Sequence, residues 1–192
     1  KIMLLFEENE LTFRHSKYKP NEETIYFDQI IEETCDKLED CKVHRYKTYE
    51  KDETYRKCRQ DWSYDYCVNF DQNLINDIHK ENPNWIIKPI KFLLLKYEEG
   101  GFFKAHCDHY LGVITSGQKQ FKHVGSILII PPLNLHQHTG GDLIIYLEND
   151  KKIIKTNNKW QIVIFKLSII HEVTELSEGF RYVLKGHVYE KI

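Results

Sequence analysis

The sequence predicts an α+β protein whose core is a double-sheet jelly roll, with helices from its N-terminal part packed on it. Three observations lead there. From residue 90 onward the chain breaks into short apolar runs divided by turn signals, eight candidate strands in about a hundred residues. Upstream of them lie two stretches with a helical period. The 192 residues, 41% hydrophobic and 29% charged, have the size and balance of one ordinary globular domain.

Residues 24–38 place Phe27, Ile30, Ile31, Thr34 and Leu38 on one face of a helix. A second helix is expected from a cap at Asp71 through Leu74, Ile75 and Ile78, stopping before Asn82-Pro83. Between them, residues 41–60 carry Lys42, Arg45, Lys47, Lys51, Arg56, Lys57 and Arg59 among tyrosines, and read as loop or edge strand. The expected strands are 92–97, 102–106, 124–130, 142–147, 152–155, 161–165, 168–173 and 180–187. Gly100-Gly101, Pro131-Pro132, Gly140-Gly141, Asn157-Asn158 and Glu178-Gly179 punctuate them. We therefore expect one domain over 1–192, with 1–87 as a support region and 88–192 as the core.

Lys plus Arg number 27 against 29 Asp plus Glu, a net charge of −2, which argues against a surface built throughout for nucleic acid. No apolar run approaches the roughly 20 residues of a membrane helix. The five cysteines are scattered, without a CxxC pair, so neither a disulfide framework nor a zinc ribbon is expected. A reducing, cytoplasmic location fits these features.

The chemistry gathers around His106-Cys107-Asp108. In a strand, residues i and i+2 share a face, so this motif sets an imidazole beside a carboxylate. A transition metal needs a third donor, and His171 stands in a later apolar strand. Two histidines and one carboxylate on one face of a metal leave positions open for other ligands. Only five arginines occur in the chain, and Arg181 follows His171 by ten residues. A returning antiparallel strand would carry its guanidinium beside the site, where it could clamp a carboxylate through two hydrogen bonds.

These residues stand in strings that resemble a known family. Tyr97-Glu-Glu-Gly-Gly-Phe-Phe-Lys-Ala-His106-Cys-Asp108 is similar to the approach to the metal in prolyl 4-hydroxylase-like 2-oxoglutarate/Fe(II) dioxygenases. Gly140-Gly141-Asp142-Leu143-Ile144-Ile145 resembles their Gly-Gly strand. His171-Glu-Val-Thr-Glu-Leu-Ser-Glu-Gly-Phe-Arg181 resembles their distal histidine and cosubstrate-binding basic residue. The likeness spans residues 88–189, and its distal part is nearest to the oxygen-sensing prolyl hydroxylases. It implies a double-stranded β-helix, with Fe(II) on His106, Asp108 and His171. It implies 2-oxoglutarate held by Arg181 with Tyr97 nearby, O2 as second cosubstrate, and ascorbate as a further cofactor. The implied reaction hydroxylates prolyl or other residues of a protein or peptide, releasing succinate and CO2. One departure stands out: residues 126–132 lack the tyrosine that the sensing enzymes offer to 2-oxoglutarate, so Tyr97 or Thr139 is expected in that role. The same chemistry on nucleic acid or a small metabolite, and a non-catalytic cupin-like metal-binding protein, are the alternative readings.

The remaining candidates have blander readings. His136 and His138 suit a polar loop better than a second metal site, since no third donor is evident. His79 falls at a helix end and should face solvent. Cys107 alternates away from the metal face and should pack in the core. His109 and Tyr110 line the entrance or lie on the surface. The basic, tyrosine-rich segment either binds substrate or is a solvated face.

Overall fold

The computed structural model describes residues 3–16, 24–41, 43–45, 48–50, 53–61, 65–86 and 92–192. In chain order the elements are β1 (Met3–Glu8), β2 (Thr12–His15), α1 (Phe27–Thr34), β3 (Glu39–Asp40), β4 (Val43–Arg45), β5 (Thr48–Glu50), β6 (Arg56–Lys57), β7 (Arg59–Asp61) and β8 (Tyr66–Asn69). Next come α2 (Gln72–Glu81), β9 (Trp85–Ile86), β10 (Leu93–Glu98), β11 (Phe102–His106), β12 (Val113–Ser116), β13 (Lys119–Ile130) and β14 (His138–Gly140). The chain closes with β15 (Leu143–Tyr146), β16 (Lys151–Ile154), β17 (Trp160–Lys166), β18 (His171–Val173) and β19 (Leu176–Lys191).

Two sheets face one another. The larger runs β1-β17-β13-β19-β10-β7-β3, and the smaller runs β16-β15-β18-β11-β6. The pairings within both are antiparallel. This is the expected jelly roll, the double-stranded β-helix. Strand period explains how one sheet serves two cores. In β13, Leu128 and Ile130 face the smaller sheet, while Ile127 and Ile129 face away. In β17 the split is Val163 and Phe165 against Ile162 and Ile164; in β19 it is Val183 against Tyr182 and Leu184.

The outer core is roofed by the N-terminal part. Phe13, Phe27 and Ile30, with Leu74 and Ile78 of α2, cover the large sheet, and the Phe13 and Phe27 rings lie 5.8 and 5.4 Å from Trp160. Burial of each such side chain contributes about 1.5–3 kcal/mol. α2 begins where its cap predicts, with Asp71 Oδ1 accepting the Leu74 amide at 2.7 Å. α1 is shorter than its period implied: Ile25 pairs with Phe13 as extended chain, and residues 35–37 tighten into a 3₁₀ turn.

The first eighty-odd residues do more than support the core. β1 forms an edge of the large sheet beside β17, while β7 and β6 extend the large and small sheets respectively. Of the basic segment, residues 42, 46–47, 51–52 and 62–64 lie outside the described residues. Strand β13 is longer than expected and folds with β12 into a hairpin whose turn holds Gly117 at φ 61°.

Gly140 and Gly141 both have positive φ, 77° and 70°. A Cβ on Gly141 would lie 2.2 Å from Leu176 Cδ1 and 3.1 Å from Arg181 Cδ. The glycine therefore lets this strand pass close against Arg181. Gly141→Ala combines the left-handed backbone cost of about 1–2 kcal/mol with that collision. Denaturant unfolding should register a loss of at least that size, whereas an unchanged midpoint would contradict the close packing.

Candidate functional site

His106 closes β11 and His171 opens β18, and the two are direct partners across the small sheet, their rings 4.3 Å apart. Each ring is oriented by the carbonyl two residues earlier in the chain. His106 Nδ1 donates to the Lys104 carbonyl at 2.7 Å, and His171 Nδ1 donates to the Ile169 carbonyl at 3.1 Å. Both neutral rings therefore carry their lone pair on Nε2, turned toward Asp108. His106 Nε2 is buried and has no hydrogen-bond partner. Asp108 lies two residues beyond the end of β11 and spans the gap between the sheets. Its Oδ2 accepts from Ser126 Oγ on β13 at 2.5 Å, and its Oδ1 accepts from Lys185 Nζ on β19 at 2.5 Å. Donor atoms of His106, Asp108 and His171 all lie within 4.8 Å of one another.

The protonation states suit a cation. Burial pulls the His106 imidazole down to about 3, with the His171 charge adding to it, and burial lowers His171 as well. At Asp108 burial opposes ionisation, but Lys185, His171 and Ser126 outweigh it and hold the carboxyl well below the usual carboxylate range. At neutral pH the cluster is two neutral imidazoles and a carboxylate, the form in which such groups ligate metals.

Behind the cluster stands Arg181, only 1% exposed, on the inner face of β19. Its direct cross-strand partner is Tyr97 of β10, whose ring lies 5.7 Å from the guanidinium carbon. Arg181 Nε and Nη1 are buried without hydrogen-bond partners. Burial lowers this group to about 10, partly offset by Tyr97 and Asp142, so it stays cationic at neutral pH. A buried guanidinium with two unmet donors is a costly arrangement unless an anion completes it. Between Arg181 and the two histidines lies a cavity of about 20 Å³, walled by Leu95, Leu128, Leu143 and Val173 and narrowed by Arg56 and Lys185.

Of the expected site residues, the structure brings His106, Asp108, His171, Arg181 and Tyr97 together. Thr139 is not with them: it is exposed on β14, opposite Glu178, and does not line the cavity. Strand alternation turns His138 inward and Thr139 out. Cys107 also departs from expectation, being exposed, because β11 ends at His106 and alternation stops there. His136 lies in the expected loop, before β14, whereas His138 opens that strand. His136 is buried, donating from Nε2 to the Pro131 carbonyl at 2.8 Å and accepting the Tyr182 amide on Nδ1 at 2.8 Å. His138 bonds Gly140 and Thr156. His79 is half-buried against the Trp85 carbonyl rather than solvent-facing. His109 and Tyr110 are exposed, and Tyr110 borders a separate cleft of about 450 Å³ with Trp85 and His123.

Three site residues escaped the sequence reading. Lys185 was within reach of it, since it lies four residues beyond Arg181 on one strand and therefore on the same face. Ser126 had the same signal relative to Leu128. Arg56, which places its guanidinium 4.3 Å over the Phe103 ring beside His106, had none.

A jelly roll carrying two histidines and a carboxylate between its sheets is the arrangement of non-haem iron oxygenases. Comparison with known proteins agrees. Residues 92–189 match the family model for the 2OG-Fe(II) oxygenase superfamily. Among solved structures, a prolyl-4-hydroxylase of Pseudomonas putida is similar at TM-score 0.55 and 14% identity, covering 85% of this chain and 83% of that one. A prolyl hydroxylase of Trichoplax adhaerens, in complex with a hypoxia inducible factor oxygen degradation domain peptide fragment, gives 0.54 and 14%, covering 84% and 74%. An oxidoreductase of the 2OG-Fe(II) oxygenase family from Burkholderia pseudomallei gives 0.52 and 10%, covering 97% and 85%. No curated protein matches in sequence. The chain belongs to the 2OG-Fe(II) oxygenase superfamily, and is a 2-oxoglutarate-dependent dioxygenase of prolyl hydroxylase-like fold. No helix among the described residues is long and apolar enough to cross a membrane.

His136 makes the stability of this site's frame depend on pH. Its Nδ1 must stay bare to accept the Tyr182 amide, and burial lowers the group to about 3. The unfolded chain protonates it near 6.5, so below that pH the unfolded state binds more protons. Stability is therefore full above about pH 6.5 and falls as pH drops toward 3, by at most about 1.4 kcal/mol per pH unit for this group. Urea titrations from pH 7 to 5 should show the decline, with a shallower slope in His136→Gln. Equal slopes in the two proteins would contradict it.

Proposed function

We propose that the chain is a hydroxylase of prolyl residues in polypeptide, with iron on His106, Asp108 and His171 and the far carboxylate of 2-oxoglutarate on Arg181. One observation carries the site reading. The orphaned Nε2 of His106 and the two orphaned guanidinium nitrogens of Arg181 border one buried cavity between the sheets. These residues fit both groups: three donors in their metal-binding protonation states, and a buried cation facing where a dicarboxylate would end.

Bound iron with 2-oxoglutarate and oxygen supplies oxidative decarboxylation to succinate and CO2, and insertion of one oxygen atom into a substrate C–H bond. The chain does the rest. Ser126 and Lys185 keep Asp108 ionised and oriented, as supporting shells do around metal ligands. Arg181 sets the far end of the cosubstrate with a two-pronged contact, and Tyr97 supports the guanidinium from the next strand. Leu95, Leu128, Leu143 and Val173 keep water from the reacting end. Ascorbate belongs to this reading as a reductant that maintains iron in its ferrous state.

A polypeptide is favoured over nucleic acid as substrate. Two arginines of the basic segment are engaged within the fold: Arg59 Nη2 donates to the Leu38 carbonyl at 2.6 Å, and Arg56 turns between the sheets. The similar Trichoplax adhaerens enzyme was solved with a peptide fragment.

The metal-free protein should take up one divalent transition metal ion. His106→Ala or His171→Ala should nearly abolish uptake, and Ser126→Ala should weaken it roughly 10–100-fold, as loss of a supporting hydrogen bond typically does. Calorimetry measures all three, and full-strength binding in either histidine variant would sink the ligand assignment. For the substrate, proline-containing peptides should raise succinate formation above the uncoupled background and gain one oxygen by mass. Oxidised or demethylated oligonucleotides, with every peptide unmodified, would overturn the peptide reading.

A further inference from the structure

Two cysteines lie beside this site without a part in the chemistry above. β3 and β7 are antiparallel, with Glu39 opposite Gln60 and Asp40 opposite Arg59. One step further along that register, Cys41 stands opposite Cys58, and the Cys41 amide donates to the Cys58 carbonyl at 2.9 Å. Directly opposed residues on antiparallel strands have Cα atoms about 4.5–5.5 Å apart, within the roughly 4.4–6.8 Å that a disulfide spans. The side chains are turned toward each other, with the two sulfurs 2.9 Å apart, and both thiols are free.

The pair is placed for redox chemistry. Both cysteines border a cleft of about 80 Å³ lined also by Asp40, Arg56, Lys96 and Glu98, a polar opening that suits a molecule as small as a peroxide. Arg56 Nε donates to Cys58 Sγ at 3.1 Å. Burial disfavours both thiolates, but the hydrogen bond from Cys41 and the Arg56 charge more than offset this at Cys58 and bring it down to about 7, while Cys41 is driven up. One sulfur is therefore a ready nucleophile, and the other a resolving thiol already in contact with it.

We propose that Cys41 and Cys58 are a modification site, oxidised by a peroxide to an intramolecular disulfide that adjoins the cosubstrate pocket. The Cys58 thiolate attacks the peroxide, forming an S–O bond as the O–O bond breaks. The hydroxide released takes up a proton to leave as water. Cys41 then gives up its proton and attacks the sulfenic sulfur, so that the S–S bond forms as the S–O bond breaks and a second water leaves. Two electrons pass from the thiols to one peroxide.

The consequence for the pocket rests on the cosubstrate reading of Arg181 and Tyr97. Cys58 holds Arg56, which covers Phe103 beside His106, and the Arg56 side chain borders the same cavity as Tyr97 and Arg181. A disulfide sulfur is a far poorer acceptor than a thiolate. Oxidation therefore releases Arg56 from one side of the cavity.

The test treats the reduced full chain with hydrogen peroxide, alkylates it and measures intact mass and linked peptides. The expected product is lighter by two hydrogens, carries a Cys41–Cys58 link, and reverts with dithiothreitol. Cys41→Ser should instead gain one oxygen at Cys58. An unchanged mass, or links made only through Cys35, Cys67 or Cys107, would overturn the site. With manganese bound, oxidation should weaken 2-oxoglutarate binding roughly three- to tenfold, the worth of about one hydrogen bond. A disulfide that forms without this loss would refute the coupling to the pocket. The mass measurement needs no cosubstrate, so it decides the modification site even where the reduced protein fails to bind 2-oxoglutarate, a result that defeats the functional reading instead.

Discussion

The constraint on which the rest of this structure turns is the burial of Arg181. A guanidinium at 1% exposure, with two nitrogens unmet, is destabilising in isolation, because its hydration is lost and no hydrogen bond among the described residues replaces it at Nε and Nη1. The surroundings hold it there regardless. Tyr97 backs it from the neighbouring strand, Asp142 tempers its charge, and Gly141 leaves room for its stem. Proteins keep such costs chiefly where function uses them, and this cation lies across a small cavity from three metal-type donors.

The two sheets divide the work. The small sheet provides the histidines, paired across β11 and β18, each turned by the carbonyl two residues before it. The large sheet provides Arg181, Tyr97, Lys185 and Ser126. Asp108 joins them, since it belongs to the chain leaving β11 yet takes both its hydrogen bonds from the large sheet. The geometry of the cluster therefore depends on the spacing of the sheets, and that spacing is set by the core of Leu128, Ile130, Val163, Phe165 and Val183.

Much of this was legible in the sequence, for a physical reason. Residues 127–130 of β13 and 162–165 of β17 are apolar at every position because these strands are buried on both faces, which marks them as central. The family strings from Tyr97 to Arg181 contain the residues that the fold brings together, and the cap at Asp71 marks the start of α2. The illegible parts are those that tertiary context decides. β1 and β7 join the large sheet by pairing with strands far along the chain, and no local pattern encodes a partner. The His106/Asp108 pairing came from strand alternation, yet the strand ends at His106, and Asp108 is oriented instead by Ser126 and Lys185. The same strand end exposes Cys107. His136 lies in a loop as its neighbours imply, but it is buried there because its two ring nitrogens satisfy the Pro131 carbonyl and the Tyr182 amide. Lys185 was the avoidable omission, since it shares a face with Arg181.

Replacement of Arg181 by methionine tests the central claim most directly, read by unfolding free energy with and without manganese and 2-oxoglutarate. If Arg181 is an anion anchor held at a cost, the methionine variant is at least as stable as the wild type when ligand-free, since an apolar side chain of similar length suits that cavity. The wild type alone then gains from the cosubstrate, by about 2.7 kcal/mol at a hundred times its dissociation constant. A variant that is strongly destabilised when ligand-free, yet still stabilised by 2-oxoglutarate to the wild-type extent, would make Arg181 a structural residue and contradict the account.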